Sequence, residues 1–355
     1  MDLLLLDKSF TAISVIDLYE SLLWTDRYDE YGDFELYMPA DEGILNTIKQ
    51  DYYLQSGESE HLMIVEKKLV KSDIEDGSHY TVSGRSLESI LERRIIWGLK
   101  VVKGNFQNAI KELLNENVIA PADANRKIPN FIFAESTDPA ITALTIEAQY
   151  TGDNLYDVIS KSCNEREVGF KVTLNEQNQF VFALYAGQDR SYNQTTNPYV
   201  VFSPNFENLS NSNYMESKQA LKNVTLIGGE GEGAERKYAV AGEGVGLERR
   251  ELFTDARDIS SDMGDGVVLT EAEYTAQLQQ RGKEKLTECV EVTSFEGEAE
   301  VSKMFQYRKD FFDGDIVQIA NEYGNEGRAR VVEMVISEDK SGFSVYPTFK
   351  ALEDK

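Results

Sequence analysis

The chain has 355 residues, of which 41% are hydrophobic and 10% aromatic, enough for two or three folded cores. Lys and Arg number 36 against 62 Asp and Glu, giving a formal net charge of −26, which argues against a surface that binds nucleic acid by neutralising phosphates. Only Cys163 and Cys289 occur, without CxxC spacing, so we expect neither a disulfide framework nor a thiolate zinc site, and folding in a reducing cytoplasm. No apolar run approaches the ~20 residues that span a bilayer, and Asp2 stands where a signal peptide is basic.

The first segment, residues 1–98, is predicted to be mainly β. The runs LLLLDKSFTAISVI and WTDRYDEYGDFELYMP are rich in β-formers or alternate apolar and polar residues. The run HLMIVEKKLVKSDIEDGSHYTVSG predicts two strands joined by a turn at Asp76-Gly77. After Gly84 the apolar spacing becomes helical, with Ser86 as the expected N-cap.

The second segment, residues 99–217, is predicted to be an α+β insertion. Asn105 is expected to cap an amphipathic helix that begins near Phe106. A second amphipathic helix in TGDNLYDVISKSCNEREVGF places Cys163 on its buried side, where it acts as a small hydrophobic residue. A β-hairpin follows, in which Phe170, Val172 and Leu174 alternate, NEQNQ turns, and Phe180, Phe182 and Leu184 alternate back.

The third segment, residues 218–355, is predicted to return to β structure. LKNVTLIGG predicts a strand, a second strand region broken by glycines follows, and EAEYTAQLQQRGKEKL predicts one helix. The remaining runs to the C-terminus predict strands. The fold class is therefore α+β and mainly β, in the order β, α+β, β.

The stretch LIGGEGEGAERKY, residues 226–238, is the strongest glycine signal in the chain. A phosphate-binding loop needs a Lys and then a hydroxyl directly after its second glycine, and this stretch has neither in that place; its glutamates would also repel a phosphate. The alternate spacing also differs from GxGxxG. We predict that these glycines, and the alternate Gly242, Gly244 and Gly246, leave one strand face free of side chains for close packing.

Nucleophilic catalysis has little support in the sequence. Ser86 follows a predicted strand, but the GxSxG pattern is absent because Glu88 stands at the second glycine position. The only histidines, His61 and His79, lie in predicted strands and are interpreted as strand-face residues. A carboxylate pair for glycoside hydrolysis stays an open alternative, because sequence does not give the separation that matters.

A metal site is also not predicted. The run DARDISSDMGDG contains Asp255, Asp258, Asp262 and Asp265 but lacks the closing Glu of an EF-hand, so a solvated loop is the preferred interpretation and weak calcium binding is left open. We predict no cofactor.

Seven stretches nevertheless form an ordered set. They are WTDRYDEYGDFELYMP, VSGRSLESILERRI, YAGQDRS, LIGGEGEGAERKY, ELFTDARDISSD, QQRGKEKL, and YRKDFFDGDIVQI with the following RARVVEM. With these stretches the chain resembles the phage tail hub family, the tail-associated or baseplate hub proteins of long-tailed phages and related contractile injection particles. The resemblance runs in order over residues 1–350.

The resemblance implies two β-barrel-like domains, 1–98 and 218–355, with the insertion 99–217 between them. In such families three copies form a ring that joins a hexameric tail tube to a spike or fibre assembly. It also implies a location in the virion tail after synthesis in the host cytoplasm, and no catalytic residue is carried over. Related hubs sometimes carry an extra lytic domain; since the sequence ends soon after the second predicted barrel, we expect none here, and the lack of a long apolar run predicts no membrane anchor. The implied channel for DNA fits an acidic wall.

The positions that the resemblance marks as structural are Arg85, Arg93, Arg94, Gly228, Gly229, Asp310, Gly314 and Asp315. For Arg93 and Arg94, two interpretations stay open: pairing with carboxylates inside or between subunits, and an exposed helix face. The alternative functions are a tail-associated cell-wall hydrolase with an unrecognised carboxylate pair and a carbohydrate-binding adhesion module.

Overall fold

A computed structural model describes residues 1–75, 77–263, 267–299, 304–320 and 326–352, with the backbone alone for 211–214 and 292–299. The chain forms two compact units. Unit 1 combines Met1–Ser89, Gly169–Met215 and Thr293–Lys355, and unit 2 combines Ile90–Val168 and Glu216–Val292. No helix among the described residues is long and apolar enough to cross a membrane.

The strands, in chain order, are β1 Leu3–Leu6, β2 Ala12–Ile16, β3 Ser21–Arg27, β4 Asp33–Pro39, β5 Tyr53–Ser56, β6 Leu62–Asp73, β7 Gly77–Ser86, β8 Leu99–Asn105, β9 Phe131–Ala134, β10 Thr145–Thr151, β11 Gly169–Leu174, β12 Phe180–Tyr185, β13 Val201–Phe202, β14 Leu209–Ser217, β15 Val224–Gly228, β16 Tyr238–Gly242, β17 Glu251–Asp255, β18 Val292–Ala299, β19 Ile316–Ala320, β20 Glu326–Asp339 and β21 Gly342–Leu352.

The α-helices are α1 Glu42–Thr47, α2 Phe106–Leu114, α3 Pro139–Thr142, α4 Leu155–Glu165 and α5 Glu271–Thr287. A π-helix continues α2 over Asn115–Ile119, and short 3₁₀ helices cover Leu87–Arg93, Ala124–Arg126, Pro204–Phe206, Gly233–Glu235 and Gly246–Glu248.

Thirteen of the described strands form one sheet in unit 1. Its path is β14-β18-β21-β20-β3-β4-β7-β6-β5-β1-β2, with β19 beside β20 and the short β13 parallel to β19. The long strand β20 joins the two ends of the chain, because its first half pairs with β19 and its second half with β3. A bulge between Val331 and Glu333 separates the two halves and shifts the register there.

Two hydrophobic clusters lie on this sheet. The first is built mainly from β1–β7, with Trp24, Phe34 and Tyr80 among its buried residues, and includes Ile336 of β20. The second is built around β13 and β19–β21 and includes Met334. Strand β20 therefore contributes to both clusters. The alternation in β4 shows the sequence basis, because its apolar residues face the first cluster and its polar residues face outward.

In unit 2, helices α2, α4 and α5 were predicted from their spacing or caps, whereas the short helix α3 was not. The Asn105 side chain caps α2 by accepting a hydrogen bond from the Asn108 amide at 3.1 Å. Helix α4 buries Cys163, and α5 packs on β15, β16 and β10. The three-stranded sheet β16-β15-β17 and α5 enclose a third hydrophobic cluster that includes Ile227 and Leu278.

The predicted helix after Gly84 needs a correction. The segment is a 3₁₀ helix, and Ser86 is the last residue of β7 rather than an N-cap. Its Oγ accepts a hydrogen bond from the Gly32 amide at 2.7 Å, which ties the end of β7 to the segment before β4. The other predicted elements of the segment, including the two strands around residue 76, are present, although Asp76 itself lies outside the described residues.

The mainly β, α+β fold class is confirmed. The barrel-like closure of each strand group stays a prediction. The boundaries between the two units do not fall at residues 98 and 217. Strand β20 pairs with β3, which joins the two ends of the chain in unit 1, and α5 packs on β10, which joins the middle segments in unit 2. The division into domains 1–98, 99–217 and 218–355 likewise stays a prediction.

Candidate functional site

Residues from separate motif stretches meet in a buried polar cluster of unit 1, which we call the motif junction. Its members are Tyr28 after β3, Tyr185 at the end of β12, Arg190 beyond it, and Asp313 and Asp315 in the turn before β19. All five belong to stretches that carry the family resemblance or directly adjoin them. Packing here brings together residues that lie more than 100 positions apart in the sequence.

Asp315 and Arg190 form a buried ion pair at the junction. The Arg190 Nε lies 2.6 Å from Asp315 Oδ2, and both side chains are at most about a tenth exposed. The Asp315 carboxylate also accepts hydrogen bonds from the amides of Gln188 at 2.7 Å and Phe312 at 3.0 Å. Burial raises the pKa of Asp315, and Arg190 opposes this shift. The pair therefore fixes the segment after β12 against the turn before β19.

Gly314 is required by the neighbouring Tyr28 ring. Its φ is +87°, and a Cβ added there would lie 2.2 Å from Tyr28 Cε2. Gly169 approaches the same ring, where an added Cβ would lie 2.5 Å from Cε2, and the guanidinium of Arg330 lies 5.3 Å from the ring centre. Tyr28 is thus held by Gly169 and by the region that contains both Gly314 and Arg330, two parts of unit 1 that are far from it and from each other in the sequence.

A second part of the junction holds buried carboxylates. The Tyr307 hydroxyl donates to Asp26 Oδ2 at 3.0 Å and contacts Asp313 Oδ1 at 3.3 Å, and the Tyr185 hydroxyl donates to Asp313. Ser59 Oγ donates to Asp26 Oδ1 at 2.7 Å. Burial raises the pKa of Asp26 by more than nearby groups lower it.

His61 supplies the positive charge beside these carboxylates. Its Nδ1 lies 3.1 Å from Glu88 Oε1, which also accepts a hydrogen bond from the Val172 amide at 2.7 Å. Burial alone would lower the pKa of His61, but Glu88 and Asp26 raise it to about 10, and His61 in turn lowers the pKa of Glu88. His61 is 1% exposed and Glu88 is fully buried, so this pair holds the structure together and has no access to a substrate.

The sequence interpretation of the two histidines was half right. His79 does lie in a strand, where it stacks on Tyr37 with ring centres 4.9 Å apart. His61 lies just before β6 and is an internal ion-pair partner rather than a strand-face residue. The pattern of the sequence carried no signal for this, because Glu88 is 27 residues away.

The predicted motif positions lie in three places. Gly314 and Asp315 are in the junction, and Asp310 caps the turn before it by accepting from the Gln306 amide at 2.9 Å. Arg85 forms a two-point ion pair with Glu66, and Gly228 and Gly229 lie at the end of β15. Arg93 is the last residue of the 3₁₀ helix of residues 87–93 and Arg94 follows it, both near the start of unit 2. That these eight positions mark the family stays a prediction.

The glycine-rich stretch 226–238 packs tightly, as predicted, but not as a strand with a bare face. A Cβ added at Gly229 would lie 2.3 Å from the Tyr274 hydroxyl, and one at Gly228 would lie 2.6 Å from Arg236. Residues 229–237 form a turn with a 3₁₀ helix, and β16 ends at Gly242. The idea of alternate glycines sharing a strand face was wrong, because most of them lie in loops.

The described residues hold no group of three or more side chains suited to a metal ion. In the acidic run, Asp255 pairs with Arg236 and Arg257, and Asp258 pairs with Arg281. Asp265 lies outside the described residues. The arginines therefore occupy carboxylates that a calcium ion would need.

A cavity of about 300 Å³ in unit 2 is another place where polar groups converge. At its base the Tyr150 hydroxyl donates to Glu284 at 2.9 Å, and burial raises the pKa of both groups. At its rim Lys161 and Lys285 both pair with Glu288. Both rim lysines are thus already paired with a carboxylate, and the cavity defines no ligand.

The fold is that of phage tail proteins. The 43 kDa tail protein of prophage MuSo2 from Shewanella oneidensis aligns with a TM-score of 0.59 and 13% identity over 99% of this chain and 98% of that chain. The tail protein from Neisseria meningitidis MC58 aligns with a TM-score of 0.58 and 11% identity over 99% and 96%. Prophage tail protein gp18 from Listeria monocytogenes EGD-e aligns with a TM-score of 0.54 and 10% identity over 100% and 96%.

The family follows from the sequence itself. The chain belongs to the siphovirus ReqiPepy6 Gp37-like protein family, whose model matches residues 2–349. A search of curated protein sequences found no match. The resemblance to phage tail proteins is thereby confirmed, and family and fold are those of a structural tail protein.

Proposed function

We propose that the chain is a tail-tip or baseplate hub. Three copies form a ring that joins the hexameric tail tube to the distal spike or fibre assembly and leaves a channel for DNA. The protein is made in the host cytoplasm and acts without catalysis. Its partners are two further copies, the tube or distal tail protein on one side, and spike, fibre or tail-tip proteins on the other.

The observation that carries this proposal is the pairing of β20 with β3 in unit 1. It places two groups of strands, each with its own hydrophobic cluster, in one sheet of a single chain. Two strand groups per copy give six in a ring of three, which is the number that a hexameric tube presents. The geometry therefore supports an adaptor between six-fold and three-fold parts.

The charge supports the channel. A net charge of −26 gives the surface an excess of carboxylates, and an acidic wall repels a DNA duplex and keeps it from adhering. The motif junction supports a structural role, because its ionisable groups are buried and used for packing.

Two measurements test the proposal. Light scattering coupled to size exclusion should give three times 40.1 kDa, and a peptidoglycan zymogram should stay blank. A dimer or hexamer would contradict the three-fold ring. Clearing of the zymogram would instead support the cell-wall hydrolase.

A further inference from the structure

In unit 2, Arg126 lies over the exposed Trp97, and Arg94 is hydrogen-bonded to the backbone of Arg126. Arg94 Nε donates to the carbonyl of Arg126 at 2.8 Å, and Arg126 donates to the carbonyl of Ile95 at 2.6 Å and to Asn117 Oδ1 at 2.8 Å. Among the described residues, no carboxylate forms a salt bridge with Arg94 or Arg126. We call the surface formed by Arg94, Trp97 and Arg126 the arginine–tryptophan patch.

The patch is preorganised. The Arg126 guanidinium lies 4.1 Å from the centre of the Trp97 ring, which is 59% exposed. Four of the hydrogen bonds of the two arginines go to uncharged groups, so their positions are fixed while their charges stay uncompensated. The flanking Ile95 and Leu99 are also exposed, at 46% and 39%.

The positive charges of the patch repel each other. Burial lowers the pKa of Arg94, and the neighbouring guanidinium groups of Arg126 and Arg93 lower it further. Because these positive charges destabilise one another, an anion that binds beside them is stabilised. An added carboxylate would relieve this repulsion and complete the free donors of the guanidinium groups.

Three other arginines that lie over aromatic rings also pair with a carboxylate. Arg85 over Tyr31 pairs with Glu66. Arg166 over Phe106 pairs with Glu165, and Arg236 over Phe253 pairs with Asp255. In a chain with 62 acidic residues, each of these three stacked arginines has an internal carboxylate partner. Arg126 does not.

We infer that the arginine–tryptophan patch docks a carboxylate-bearing surface of a second copy of this chain. This inference rests on the proposed ring of identical copies, and charge complementarity selects the occupant, because each copy carries 26 more acidic than basic residues. Exposed Trp and Arg are the residues that most often anchor protein interfaces. A DNA duplex is the alternative occupant that the test distinguishes.

The test is sedimentation equilibrium of the full chain over a concentration series in low and high NaCl. The wild type should self-associate, and association should weaken as salt screens the charges. Trp97→Ala and Arg94→Glu should each weaken it by tenfold or more without changing the thermal midpoint. Trp97→Phe, which keeps a flat ring, should retain most of it.

Lys111→Glu is the matched charge control, because Lys111 is exposed in the same unit and already pairs with Glu135. It should associate as the wild type does. If Trp97→Ala and Arg94→Glu associated as strongly as the wild type, the role of the patch would be contradicted but the proposed ring would not. If the wild type stayed monomeric at every concentration, both the ring and the patch would be contradicted. If the wild type bound a short DNA duplex and Trp97→Ala did not, the occupant of the patch would be a nucleic acid and not a second copy.

Discussion

The turn at Gly314 has no space for a side chain. Gly314→Ala would force an Ala into the left-handed region at φ +87° and place its Cβ 2.2 Å from the Tyr28 ring. The backbone cost of about 1–2 kcal/mol and the overlap cost of about 1–3 kcal/mol predict a loss of about 2–5 kcal/mol in the free energy of unfolding. Urea unfolding measures this loss.

Gly327→Ala is the control for this substitution. Gly327 lies in β20 without a left-handed φ, and an added Cβ there meets nothing within 4 Å. Its free energy of unfolding should stay within about 0.5 kcal/mol of the wild type. Equal losses in the two variants would show that the Tyr28 contact is not what requires Gly314.

His61 makes the stability of the folded chain depend on pH. Its pKa is about 10 in the folded state against 6.5 as the ordinary value, so the folded state keeps a proton that the unfolded state releases. The stabilisation is fully present below pH 6.5 and is lost as pH rises toward 10. The free energy of unfolding should therefore fall through this window.

The double variant His61→Gln/Glu88→Gln isolates this effect, because it removes both charges and leaves neither buried alone. Urea unfolding at a series of pH values should show a smaller fall for the double variant than for the wild type. His79→Gln changes the other histidine, which is partly exposed, and should keep the wild-type profile. Parallel profiles for wild type and double variant would contradict the assignment to His61.

At the scale of elements, β20 is the strand on which the sheet of unit 1 depends. It pairs with β21 along its length, with β19 in its first half and with β3 in its second half. Hydrogen exchange of the intact protein should therefore show the amides of β3 and β20 opening together, whereas the largely exposed edge strand β2 should exchange faster. Slow exchange in β3 combined with fast exchange in β20 would contradict one cooperative sheet.

The start of α5 gives a second test at this scale. Thr270 and Glu273 form a capping box, in which Thr270 Oγ1 accepts from the Glu273 amide at 3.3 Å. Thr270→Ala should lower the free energy of unfolding by about 1 kcal/mol, and Thr270→Ser should keep most of it. Thermal unfolding measures both variants. If Thr270→Ser lost as much stability as Thr270→Ala, the loss would come from the methyl group of Thr270 and not from its capping hydroxyl.

Local signals predicted many elements. The Asn105 cap and the apolar spacing of α2, α4 and α5 gave helices, and alternation gave β4 and the β11–β12 hairpin. Periodicity did not reveal that β20 pairs with β3, because pairing across about 300 residues depends on the whole sheet. The 3₁₀ segment after Ser86 was predicted as an α-helix, since both have similar apolar spacing over two turns.

The candidate site was predicted unevenly for the same reason. Gly314 and Asp315 were found through a local motif, and Arg190 lies in another. Their contact with each other and with Tyr28 required the fold, and so did the His61–Glu88 pair. Asp26 offered one usable signal, as a carboxylate inside an apolar strand beside Trp24. Buried polar networks are built from residues far apart in sequence.

At the scale of the whole molecule, family and fold are those of a phage tail protein, and the ring is the central claim. Electron microscopy of the purified protein and of the tail tip of its parent particle tests the ring most directly. The account predicts a closed three-fold ring with a central channel, in which each copy contributes two strand groups. A single copy at the tip, or a ring of six copies, would contradict it.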